Sequence, residues 1–391
     1  MGAKITLGLL RLTDAAPLIV ARELGIFAEE GLDVRLAIEP SWANVADKIA
    51  YSLMDGAVML PPLAFALNLG LRGNVTPLVV PMSLSLKGNT ITVSQTIDAD
   101  ISRGRAGQGT PTALDAARRF AAALRASGRA GSRPALAVVH AYSTHNLLLR
   151  YWLAAGGLDP NRDVELIVLP PAQVVDALAS GTIVGFCAGA PWGIAAARAG
   201  IGRTLVMTSG IWNNHPEKVL AIGRRWAEDN PDQLQAMLRA LLGAARYCDE
   251  PANARHVADL VAETLTLDTA AVLASLPGAA ALDRTAADVS TFFSNAANFP
   301  WRSHAVWFLR EMARWGYIGP DVEFSALAAS VYRPDLYRLA ADRVGAPVPT
   351  DDMKSEGEHG SDWILPAARN AIPMGPDCFC DGAVFDPWAA S

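Results

Sequence analysis

The residues of this chain that could do chemistry stand at predicted strand ends and helix starts, where open α/β sheets hold their ligands. Ser143-Thr144-His145-Asn146 follows a predicted strand over residues 136–139 and opens a predicted helix over 146–155. Free backbone N–H groups and the positive end of a helix dipole would sit there beside two hydroxyls and an imidazole, an arrangement suited to an anion. The plainer role for Ser143 or Thr144 is to cap that helix. Trp42 stands at a corresponding helix mouth earlier in the chain, where its indole N–H could donate and its ring could wall a planar ligand. Lys218 falls just before an apolar strand, within Trp212-Asn213-Asn214-His215-Pro216-Glu217-Lys218-Val219-Leu220, and its ammonium could reach a cleft as a point charge. Taken singly, each favours a bland role: capping, packing, or a solvated surface.

No catalytic signature accompanies them. The sequence lacks a Gly-x-Ser-x-Gly elbow, a phosphate loop, a His-Glu-x-x-His motif, and a Gly-x-Gly-x-x-Gly after its first strand. The reading is a binding protein that uses no cofactor, and not an enzyme. His140, His256 and His304 read as ordinary packing or surface histidines. Cys187 and Cys248 stand alone, and Cys378-Phe379-Cys380, with Asp377 and Asp381 beside it and His359 upstream, lacks the spacing of a zinc site. Two half-buried thiols in a docked tail are expected there.

The elements that must position these residues repeat. Residues 5–10 alternate as a first strand; Thr13 and Asp14 read as N-caps of a helix carrying Leu18, Ala21 and Leu24 and ended by Gly25. A turn over 27–31, a strand over 32–36, a helix from Trp42 to about residue 53 and a strand over 57–60 follow, which is parallel α/β wiring. The order returns as a strand over 136–139, a helix over 146–155, a strand over 164–168, a helix from residue 172 and a strand over 182–186. Two similar α/β lobes are the simplest reading. Asn89, after Leu86-Lys87-Gly88, sits where the chain would first cross between them and could donate an amide hydrogen bond. An Ala-, Arg- and Gly-rich connection over 99–133 has a helical middle over 112–125. Beyond Gly210 helices are expected over 231–248, 253–264, 304–315 and 324–329, packed around the first lobe, with the tail docked by apolar residues over 363–371 and 379–388.

Composition bounds the rest. The chain has 391 residues, enough for two domains each with its own core. Lys plus Arg total 33 against 39 Asp plus Glu, a formal charge of -6, so no basic field draws it to nucleic acid or an anionic membrane. Contact with RNA would run through a partner. The start of the chain enters its first strand without a secretory leader, and no apolar run is long enough to span a membrane, so a cytoplasmic location is expected.

Six segments resemble the nitrate- and bicarbonate-binding proteins of bacterial ABC transport systems: ARELGIFAEEGLDV over 21–34, KGNTITVS over 87–94, STHNLLLRYWLAAGGLD over 143–159, IWNNHPEKVL over 211–220, Phe186-Cys187-Ala188-Gly189-Ala190-Pro191-Trp192, and Asp381-Gly382-Ala383-Val384-Phe385-Asp386-Pro387. The resemblance spans nearly the whole chain. It implies a type II periplasmic-binding-protein fold, with residues 1–88 and 206–391 forming one lobe, 89–205 the other, and a small oxyanion enclosed between them. The positions matching the family's ligand shell are Trp42, Asn89, His145 and Lys218, with Gly88, Pro191 and Trp192 nearby and Ser143 and Thr144 beside His145. Family members often carry glutamine in the role of Asn89. Bicarbonate binders tend to place an acidic residue at the position of Lys218 and use calcium, so the lysine implies nitrate or nitrite without metal. Ala190 departs from the glutamate common before Pro-Trp in transport receptors. With the absent leader, the resemblance extends to a cytoplasmic nitrate-sensor branch, whose members hold an RNA-binding antiterminator of the response-regulator type and release it on nitrate or nitrite. Two rival readings stand beside it. One is a transport receptor whose leader has been removed. The other is an enzyme resembling thiamine pyrimidine synthases, of whose Cys-rich motif Cys378-Phe379-Cys380 is a poor echo.

Overall fold

The computed structural model describes residues 4–103, 111–126, 133–278, 290–366 and 368–389. Parts of the expected 99–133 connection, residues 104–110 and 127–132, lie outside them. Ten strands build two sheets: β1 (Ile5–Leu9), β2 (Val34–Ile38), β3 (Gly56–Met59), β4 (Leu78–Ser83), β5 (Asn89–Ser94), β6 (Ala135–Val138), β7 (Glu165–Val168), β8 (Gly185–Gly189), β9 (Gly202–Met207) and β10 (Val219–Gly223). The first sheet has the order β2-β1-β3-β10-β4 and the second β7-β6-β8-β5-β9.

In each sheet three strands run parallel, β2-β1-β3 and β7-β6-β8. Parallel strands need crossover helices, and strands covered on both faces read as continuous apolar runs. Gly-Ala-Val-Met of β3 and Gly-Phe-Cys-Ala-Gly of β8 are accordingly buried throughout. The two strands that arrive from the opposite lobe are inserted antiparallel, β5 between β8 and β9 and β10 between β3 and β4. This exchange places the start of β5 and the residues just before β10 at the two crossings. Because β9 runs on to Met207, the second crossing begins after that residue, two positions beyond the expected 205.

Several local expectations are corrected. Neither Thr13 nor Asp14 caps a helix: Leu12 is the extended residue, Thr13–Ala15 form a 3-10 turn, and the α-helix Ala16–Glu23 carries Pro17 in its first turn, where a missing N–H costs nothing. Residues of the expected 27–31 turn belong partly to a short helix, Ile26–Glu29. Strand β8 starts three residues later than the predicted 182, because Ile183 N–H is bonded to Ala177 O at the end of the preceding helix, and the ladder begins only after it. Pro334–Arg343 is a helix that periodicity did not mark.

The helix Pro231–Asp249 packs on Ala16–Glu23 and on Pro334–Arg343, completing the first lobe. The tail docks through Phe379, which stacks on Trp212 at 4.9 Å, and through Asp381, which accepts a hydrogen bond of 2.9 Å from Tyr151 of the second lobe. Trp388, expected to dock with it, is 63% exposed. Cys378 and Cys380 are half-buried free thiols. Among the described residues, no helix is long and apolar enough to cross a membrane.

Candidate anion-binding site

The C-terminal ends of the parallel strands of both lobes face one cleft. A cavity of about 380 Å³ there is lined by Leu10, Arg11, Ile38 and Glu39 from the first lobe and by Pro170, Pro171 and Trp192 from the second. Deeper in, the lobes touch: Thr13 N–H donates to Ala190 O at 3.0 Å, and Ala190 N–H to Gly88 O at 2.9 Å.

Among the candidate residues Trp192 lines that cavity, whereas Trp42, Asn89, His145 and Lys218 are fully buried, each set in place by a local device. Ser41, in extended conformation, accepts from Asn44 N–H and starts the helix Trp42–Ala50 with Trp42 at its first turn. Ser143 does the same for the helix Thr144–Ala155, accepting from Asn146 N–H at 3.0 Å, so the plainer reading of Ser143 as a cap holds and the hydroxyl is spent. That cap delivers Thr144 and His145 to the first turn, where backbone N–H groups have no intrahelical acceptor. Gly88 has φ +87°, and a Cβ on it would lie 2.4 Å from Ser290 Oγ, so its part is to let the first crossing pass closely. Pro191 and Trp192 follow β8, with Trp192 at the cavity wall.

At the centre lies Lys218, fully buried. Its Nζ is 5.5 Å from the centroid of the Trp42 ring, 2.8 Å from Asp14 Oδ2, and in contact with Glu217 Oε1. Glu217 in turn accepts from Asn89 Nδ2 at 2.6 Å, and its Oε1 is 3.5 Å from His145 Nε2. Trp42, Asn89, His145 and Lys218, up to 176 positions apart in the sequence numbering, therefore meet around one ammonium.

Two residues that complete the cluster escaped sequence reasoning. Asp14 reads as a helix cap because Asp before an apolar run ordinarily is one. Glu217 carries no local signal of its own beyond its place beside Lys218 just before β10. Their presence changes two expectations. Lys218 is not a bare point charge but an ion-paired one, and the Asn89 amide is donated to Glu217. The signal that could have found Glu217 was its place beside the lysine at a crossing.

The electrostatics follow from burial. Desolvation pulls the Lys218 ammonium down, and Asp14 and Glu217 more than reverse it, leaving its pKa above the usual lysine value. Burial raises the Asp14 carboxyl, with Lys218 only partly opposing it. Burial, and then Lys218, hold His145 well below the usual histidine value, so its imidazole is neutral and carries one N–H. Among the described residues, eleven buried side-chain polar atoms have no hydrogen-bond partner within the chain, and six belong here: Trp42 Nε1, Asn89 Oδ1, Thr144 Oγ1, both ring nitrogens of His145, and Trp192 Nε1. Leaving a buried donor or acceptor unpaired costs about 1–3 kcal/mol, so such a concentration marks a place built for a polar partner from outside the chain. An indole N–H, an imidazole N–H, a hydroxyl and an ammonium suit a small ligand that only accepts. Among the described residues, no group of three or more His, Cys, Asp or Glu is placed to hold a metal ion.

Residues 2–262 match the NMT1-like family. The chain is 33% identical to the nitrate/nitrite binding protein NrtA of Synechococcus elongatus, over 98% of this chain and 83% of that protein. It is 36% identical to the nitrate import ATP-binding protein NrtC of Synechocystis over 91% of its own length, but spans only about half of that longer relative, 51%. The crystal structure of the periplasmic nitrate-binding protein NrtA from Synechocystis superposes with a TM-score of 0.83 at 28% identity, covering 98% of this chain and 95% of that one. The fold is thus periplasmic-binding-protein-like, two mixed sheets flanked by helices, and the chain belongs to the NMT1-like family as a homologue of the nitrate- and bicarbonate-binding proteins of ABC transporters.

Proposed function

We propose that this protein binds nitrate or nitrite between its lobes, without metal, and that closure over the anion is read by a partner. The observation that carries this is the buried Lys218 beside the unpartnered donors of Trp42, Thr144 and His145. A planar monovalent oxyanion offers acceptors alone and would satisfy those donors. A lysine where a carboxylate and calcium would otherwise serve supports nitrate or nitrite over bicarbonate. The bonds from Thr13 to Ala190 and from Asn146 to Tyr317 tie the second lobe to the first, so a ligand that favours the closed form changes the surface a partner meets.

The partner in this reading is an RNA-binding antiterminator of the response-regulator type, held in the cytoplasm in the absence of the anion and released by it. Direct nucleic-acid binding has no part in it, in keeping with the charge of -6. A second reading, a receptor that passes its anion to a nitrate transporter, is supported equally by the NrtA relatives. The two separate in a capture experiment with immobilised full-length chain and such an antiterminator. Retention without nitrate, and release at nitrate concentrations that saturate the site, is the expected result. An antiterminator that never binds leaves the receptor reading in place of the sensor.

A further inference from the structure

The charges of the site do not balance once an anion is added, and that imbalance has a direction. One cation, Lys218, stands between two carboxylates, Asp14 at 2.8 Å and Glu217 in contact. The other buried titratable groups facing the cluster add no positive charge at neutral pH. His145, 3.5 Å from Glu217, is kept neutral by its burial and by Lys218. His215 is lowered to about 4 by burial, and the Cys187 thiol is pushed up by burial and by Glu217. Lys87, at the first crossing, acts on His215, and Arg11 is exposed at the mouth of the cavity. With both carboxylates ionised the pocket holds a net charge of about -1 in surroundings that screen poorly, and a nitrate would bring it to about -2.

The two carboxylates are not equivalent. Glu217 has a donor on each oxygen, Lys218 on one and Asn89 on the other at 2.6 Å. Asp14 is held by Lys218, and it stands on a turn packed against the end of β8, where a Cβ on Gly189 would lie 3.6 Å from Asp14 Oδ2. An anion that takes Lys218 as its own counter-ion takes it from Asp14 first.

We propose that the anion binds together with one proton, taken from solvent by the Asp14 carboxylate and returned when the anion leaves. Lys218 then turns from compensating Asp14 to compensating the ligand, and the total charge of the pocket does not change. Burial already raises the Asp14 pKa, so the proton goes to a group prepared to accept it. Glu217, with a donor on each oxygen, keeps its contact with Lys218. The protein thereby becomes a sensor of anion and proton jointly, and affinity weakens as pH rises.

This inference rests on the anion-binding reading, and one experiment separates the two. The full-length chain is titrated calorimetrically with sodium nitrate at a fixed pH near neutrality, in phosphate, imidazole and Tris, whose ionisation enthalpies differ. Expected is a binding enthalpy that changes linearly with the buffer's ionisation enthalpy, with a slope of about one proton per anion, and a Kd that rises about tenfold per pH unit between the pKa of Asp14 in the free and bound forms. Asp14→Asn, close to isosteric, is expected to bind with a slope near zero. Clear heat with no buffer dependence in the unmodified chain overturns the proposal. So does an unchanged slope in Asp14→Asn, which places the proton elsewhere. No heat in any buffer removes the anion-binding reading itself, and the proposal with it.

Discussion

Lys218→Met is expected to abolish nitrate binding and to lower the unfolding free energy by roughly 3–5 kcal/mol. The residue has no solvent exposure, and its ammonium is the shared partner of Asp14 and Glu217. Methionine fills much of the volume but leaves two buried carboxylates uncompensated, a larger penalty than the pair itself is worth. A carboxylate buried without its cation has a raised pKa, so the folded variant binds more protons than its unfolded chain. Its stability is then fullest at low pH and is lost as pH rises. Urea denaturation at pH 5 and pH 8 should therefore show a gap to the unmodified protein that is wider at pH 8. Arg255→Met is the matched control, since Arg255 pairs with Asp259 at 3.1 Å with the two side chains 69% and 49% exposed, and a loss of about 1 kcal/mol or less is expected there. A comparably small loss at position 218 would mean that the two carboxylates are neutral without the lysine and that the charge count of the site is wrong.

His145→Leu should act with opposite signs on stability and binding. Both imidazole nitrogens are buried without a hydrogen-bond partner in the chain, and an apolar residue of similar size removes that unpaired polarity. The ligand-free variant is expected to be as stable as the unmodified protein or more so, by about 1 kcal/mol. Nitrate affinity is expected to fall about tenfold to a hundredfold, the worth of a hydrogen bond to a charged group at about 1.5–3 kcal/mol. Thermal unfolding with and without nitrate reads both at once, because a ligand that binds the native state alone raises the Tm by an amount that grows with the logarithm of its affinity. A variant that is destabilised and still binds would assign His145 to packing and not to the ligand.

Much of this architecture is legible in the chain because the parallel units carry strong local signals. Apolar runs such as Ala57-Val58-Met59 and Phe186-Cys187-Ala188, punctuated by Gly56 and Gly181, announce buried strands, and the recurrence of the unit announces two lobes. The capping serines are legible in different degrees: Ser143 stands directly before a helix start and reads as a cap, while Ser41 is overshadowed by the tryptophan it positions. What local pattern cannot carry is pairing at a distance. Asn89 and Glu217 are 128 positions apart and meet only because β5 and β10 exchange lobes. Asp14 and Lys218 meet for the same reason, and nothing near Asp14 distinguishes an ion-pair partner from a cap. The lysine was therefore visible as a candidate while the compensation of its charge was not. The helix Pro334–Arg343 escaped because its charged residues blur the apolar period, although Tyr337, Ala340 and Ala341 are buried.

The most direct test is a calorimetric titration of the metal-free, full-length chain with nitrate, nitrite and bicarbonate at neutral pH. Saturable binding of one nitrate or nitrite per chain, with no binding of bicarbonate, is the expected result. Absence of binding by both nitrate and nitrite, or metal-free binding of bicarbonate as tight as that of nitrate, would contradict the assignment of the Lys218 cluster as a nitrate site.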